Sequence, residues 1–135
     1  GRHLSETHNA MEVTNAGAWS FIASLHLPQG ATLDELRCFY KDNNGFDSWQ
    51  TIKAEIKRRA YSSDNASSVG DAVDVSTSAP GFSTTIFNTS ADLNDALIDN
   101  SAYSYYLEVD LKSSCNSCSN ILFYGCRVTY EAPLL

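Results

Sequence analysis

The 135-residue sequence predicts an all-β fold: an antiparallel β-sandwich of jelly-roll type, about 7–8 strands, with an N-terminal extension over residues 1–17. Three observations predict it. Apolar and polar residues alternate with period two through the clearest segments, turn signals separate short runs rich in Val, Ile, Thr and aromatics, and no internal repeat or low-complexity tract competes.

The elements follow in chain order. The opening "GRHLSETHNAMEVTNAGA" has little apolar content and reads either as a tethered edge strand or as a mobile arm. "AWSFIASLHLP" and "TLDELRCFYK" are two strands divided by the turn signal of Pro28 to Gly30. "WQTIKAEIKRRAY" is ambiguous. Ile52, Ala54 and Ile56 alternate as in a strand, yet Lys, Glu, Ala and Arg favour helix, and Trp49, Ile52 and Ile56 supply a helical stripe. "DAVDVSTS" and "STTIFNTS" are short strands flanking Pro80-Gly81.

The tyrosine-rich stretch "ALIDNSAYSYYLEVDLK" begins with an Asp99-Asn100 turn. Period two then places Tyr103 and Tyr105 inward with Leu107, Val109 and Leu111, leaving Tyr106 on a wet face with Glu108 and Asp110. In the last strand, "NILFYGCRVTYE", alternation puts Leu122, Tyr124, Cys126, Val128 and Tyr130 on one face and Ile121, Phe123, Gly125, Arg127 and Thr129 on the other.

Sixteen acidic against nine basic residues give a formal charge of −7, which disfavours phosphate backbones and anionic membranes, so nucleic acid is not an expected partner. No apolar run approaches the ~20 residues of a membrane-spanning helix. A chain beginning at Gly1 is read as a mature form that has lost a signal peptide, although a fusion scar looks the same.

The four cysteines, Cys38, Cys115, Cys118 and Cys126, allow three pairings. The expected arrangement is Cys38 with Cys126 across strands and Cys115 with Cys118 closing a polar loop, with zinc and free thiols as alternatives. Disulfides imply an oxidising, extracellular setting.

"LPQGA", "DNSAYSYYL" and "GCRVTY" together resemble a group of secreted bacterial all-β proteins with LPxGA, DNxxYxYYL and GxRxxY strand motifs, over residues 25–131. The resemblance implies secretion, an all-β fold and a strand over 51–59, and it carries over no catalytic residue or cofactor. The N-terminal arm has no counterpart in that pattern.

Site candidates are few. His3, His8 and His26 read as solvent-facing, and no G-x-S-x-G elbow marks a nucleophile. Glu108 and Asp110 lie about 7 Å apart on one strand face, a spacing open to glycoside hydrolysis but more simply a solvated face. Asp42, Asn44 and Asp47 around Gly45 are weak calcium candidates, with an Asx turn the preferred reading. Asn65 and Asn88 open glycosylation sequons. Trp19, Trp49 and Tyr106 are the aromatics that could stack on a sugar.

The chain is therefore expected to be a non-enzymatic, secreted structural subunit that assembles with itself into a fibre, sheath or surface layer, its N-terminal arm adding a strand to a neighbour. The alternative is a carbohydrate-binding or adhesive module. No cofactor is expected.

Overall fold

In the computed structural model, whose described residues are 2–7, 11–13, 17–42, 50–77, 87–113 and 121–133, nine strands form two antiparallel sheets. They are β1 (Arg2–Thr7), β2 (Met11–Val13), β3 (Gly17–Ser24), β4 (Thr32–Asp42), β5 (Gln50–Ala60), β6 (Ala66–Thr77), β7 (Phe87–Leu97), β8 (Tyr103–Ser113) and β9 (Ile121–Ala132). One sheet has the order β1-β9-β4-β7, with β2 also on β9; the other is β3-β8-β5-β6. The stretch that was ambiguous from sequence, 51–59, is strand throughout.

β1 and β2 share one register on β9. Arg2 pairs with Ala132, Thr7 with Arg127, Met11 with Phe123 and Val13 with Ile121, so in both strands residue i faces residue 134 − i. Counted as one, they complete eight strands whose connections cross from one sheet to the other everywhere except at the β5–β6 hairpin, as in a jelly roll. Of the two readings of the opening segment, edge strand or mobile arm, β1 and β2 have the edge-strand form, beside β9. Seven strands run from Gly17 onward.

Period two fills the space between the layers. Leu33, Leu36, Cys38, Val128 and Phe123 from one sheet meet Ile52, Ala54, Ile56, Leu107, Val109 and Leu111 from the other, all buried. Phe21 on β3 packs across the layers on Phe123, ring centroids 5.8 Å apart. Cys38 and Cys126 are directly paired on β4 and β9 and form a disulfide buried in this core, the expected cross-strand bridge. Cys115 and Cys118 lie outside the described residues.

The structure changes three readings. In β9 the alternation slips: Gly125 pairs with Phe39 but Phe123 with Tyr40, so Tyr124 is an extra residue in a bulge where Gly125 has φ +115°. Phe123 therefore enters the core and Tyr124 turns outward, the reverse of the faces expected from strict period two. Secondly, β6 begins at Ala66 and β7 continues to Leu97, well beyond "DAVDVSTS" and "STTIFNTS". "NTSADLNDAL" hid because it is polar, yet Ala91 and Leu93 point inward while Asp92 and Asn94 face solvent. Thirdly, Tyr106 is half-buried rather than exposed, although it does share the outer face; Tyr105 is buried as expected.

Candidate functional site

Three connections gather at one end of the sandwich, and the motif residues explain why. In "LPQGA" Ala31 N–H donates to the Pro28 carbonyl at 3.1 Å, and Gly30 has φ +79°, the left-handed conformation that a type II turn demands at its third position. Gly30 N–H then donates to the Ile98 carbonyl and Ile98 N–H to the Ala31 carbonyl. Asn100 supplies the stitch between motifs: its side-chain amide donates to the Leu27 carbonyl at 2.8 Å, while its N–H donates to Gln29 Oε1 at 2.6 Å.

Asp99 caps its own turn. Its Oδ1 accepts from the N–H of Ser101 at 3.1 Å and from the Ser101 hydroxyl at 2.5 Å. The Ser101 hydroxyl and the Gln29 side chain stabilise the carboxylate and hold its pKa below the ordinary 3.8. Tyr105 OH accepts from Asp99 N–H at 3.0 Å, which ties the inward tyrosine to the turn that precedes it. The third connection, the β5–β6 turn, joins through Tyr61 N–H to the Ala102 carbonyl.

Between these loops lies an open groove of about 590 Å³ bordered by His26, Pro28, Tyr61, Asn100 and Tyr103. Tyr61 is 67% exposed. Arg58 stacks its guanidinium 4.1 Å above the Tyr103 ring, and its buried Nε has no hydrogen-bond partner among the described residues.

The outer face of the β3-β8-β5-β6 sheet carries the charges. Glu55 on β5 sits directly opposite Glu108 on β8, a like-charge pair that by itself destabilises. Lys57 resolves it, with Nζ 3.4 Å from Glu108 and 3.6 Å from Glu55, and Ser68 hydroxyl donates to Glu55 at 2.8 Å. Burial acts to lower the Lys57 pKa, but the attraction and hydrogen bond of Glu108, with the added pull of Glu55 and Tyr106, outweigh it and leave it raised above 10.5. A raised lysine pKa means the clamp contributes fully below the unfolded pKa of about 10.4 and is lost as pH rises through the folded one. Lys57→Gln should cost about 1 kcal/mol in urea denaturation at pH 7, and adding Glu55→Gln should recover most of it. Loss of stability unchanged by the second substitution would contradict the clamp.

The same contacts decide the carboxylate pair. Glu108 is engaged by Lys57, and Asp110 accepts a hydrogen bond from the Ser20 hydroxyl. Each is held in a surface network on its own strand pair.

The remaining candidates scatter. Trp19 pairs through its backbone with Leu111 on the β3 edge strand, and His3 with Glu131 on the arm. His26 is exposed on the groove wall, Asn65 is exposed in the β5–β6 turn, Asn88 lies on β7 opposite Phe39, and Asp42 ends β4. Trp49, Asn44, Asp47 and His8 lie outside the described residues. Among the described residues, no three His, Cys, Asp or Glu side chains are placed to hold a metal ion. Sequence reasoning missed Glu55, because only strand pairing reveals that it faces Glu108.

No family model matches the chain, and no curated protein does. Solved structures do resemble it. One from infectious bursal disease virus, Gx strain, aligns with 96% of this chain at a TM-score of 0.50 and 13% identity; this chain spans 32% of that one. The Tobacco streak virus coat protein dimer aligns with 98% of this chain and 88% of its own at 0.45 and 11% identity. A family two carbohydrate esterase from Cellvibrio japonicus aligns at 0.28 and 12%, over 98% of this chain and 37% of its own. At 13% identity the first likeness establishes the fold alone.

Proposed function

We propose that the protein is a non-enzymatic structural subunit that assembles with copies of itself outside the cell, as a fibre or surface layer, by giving its N-terminal strand to a neighbour. Jelly rolls serve both coats and sugar-binding domains, so the fold by itself does not choose between them. The observation that carries the reading is the placement of that strand. Residues 2–7 and 11–13 pair with β9 and with no other described strand, both in one register.

An edge strand of this kind makes the same hydrogen bonds on its own β9 or on that of another copy, so exchange converts intramolecular contacts into intermolecular ones at small energetic cost. The buried Cys38–Cys126 bridge and the charge of −7 suit an oxidising, aqueous compartment.

Ser5 and Thr129 are opposite one another in the register. A Ser5→Cys/Thr129→Cys variant, oxidised at high protein concentration, should run as covalent dimers and longer ladders on a non-reducing gel, above the background of the unmodified chain. Intramolecular closure alone would contradict strand exchange.

A further inference from the structure

We infer that β3 is a second assembly surface, where its free edge pairs antiparallel with β3 of another copy to join two four-stranded sheets into one of eight. This rests on the self-assembly reading and names a contact that the exchanged arm does not provide.

The four sheet edges are unequally protected. β6 and β7 close one flank against each other: a Cβ on Gly70 would lie 2.6 Å from Leu93 Cα, so the two backbones touch. β6 also shifts register between its pairings with Ala54 and Ile56 and exposes Asp71 and Asp74. β7 is interrupted by Asn94 and Asp95, both with positive φ, and exposes Asp92. The arm edge carries Arg2, Glu6 and Glu12. Charges, bulges and cover are the usual protections of an edge.

Among the described residues β3 has none of them. "GAWSFIAS" contains no charge and no proline, pairs with β8 without a register shift, and exposes Ile22 at 65%. Its backbone direction is fixed by Leu25, whose N–H donates to the Tyr105 carbonyl on β8. By alternation along an antiparallel ladder, the N–H and C=O groups of Ala18, Ser20, Ile22 and Ser24 point the other way, into the free edge.

The partner follows from self-complementarity. A two-fold axis through Phe21 places Ser20 opposite Ile22 and Ala18 opposite Ser24 of the second copy, and every outward donor meets an outward acceptor. No charge opposes its own image along this edge. For a chain of charge −7 that distinguishes it from β6 and β7, where self-pairing brings aspartates together.

The test compares the wild-type chain with Ile22→Lys and Ile22→Pro by sedimentation velocity, with site-resolved amide exchange on the wild type. Ile22 is opposite Glu108 within its own fold, so lysine is tolerated there, while across the new edge it brings two ammonium groups near the axis. Proline removes one outward N–H and leaves the β8 ladder intact. We expect both variants to keep the wild-type circular dichroism and to weaken association by about tenfold or more. The Ser20, Ile22 and Ser24 amides should slow their exchange as wild-type concentration rises, while Phe21 and Ala23 are protected throughout. A wild type that assembles, with both variants assembling equally well, overturns the β3 contact and leaves self-assembly standing. A wild type that remains monomeric overturns both.

Discussion

Replacing Cys38 and Cys126 together by alanine should lower the unfolding free energy by about 4–5 kcal/mol, because the bridge closes a loop of 88 residues and its removal returns that freedom to the unfolded chain. The pair is fully buried between β4 and β9, so the loss comes with two small defects in the core. Against a typical domain stability of about 5–15 kcal/mol this is a large share. Urea denaturation of the double variant and the wild type at equal concentration measures it. A difference below about 1 kcal/mol would mean that the sheets hold their register without the bridge.

The second large effect belongs to Gly70. Its φ of +72° disfavours any side chain, and an added Cβ meets Leu93 Cα at 2.6 Å and Leu93 Cδ2 at 2.9 Å. The Cδ2 end can rotate away, but the backbone of β7 cannot yield without opening the flank between the sheets. Gly70→Ala should therefore cost about 3 kcal/mol or more, a fall in melting temperature of roughly 10–15 °C. Gly30 supplies the control. It has φ +79°, yet its Cβ would only touch Pro133 at 3.5 Å, so Gly30→Ala should cost about 1 kcal/mol from backbone strain alone. Equal effects at the two positions would show that the close approach of β6 and β7 does not matter.

Much of this fold was legible before any coordinates. Alternation identified β8 with its inward Tyr105, Leu107, Val109 and Leu111, and the cysteines inside apolar strands pointed to the bridge. What escaped depended on partners distant in sequence. The Tyr124 bulge is set by the pairing of β9 with Phe39 and Tyr40, and period two has no means of signalling an inserted residue except the glycine beside it. The second half of β7 escaped because an edge strand with a solvated face needs few apolar residues, here Ala91 and Leu93. The opening segment could be read as either edge strand or arm for the same reason, and because its neighbour in the sheet is the last strand of the chain.

The site was less legible than the fold. The motif blocks that stood out turn out to hold architecture: Gly30 makes a turn, Asp99 and Asn100 stitch loops, and Gly125 permits a bulge. Other features are quieter. The Glu55–Lys57–Glu108 clamp and the edge of β3, which no described strand covers, both require knowing which strand lies beside which.

The central claim is that this jelly roll associates with itself, and the particle mass of the native protein tests it most directly. Sedimentation velocity over a wide range of concentration should show species at multiples of the 14.8 kDa chain, growing with concentration. A single 14.8 kDa species at every concentration would contradict the account.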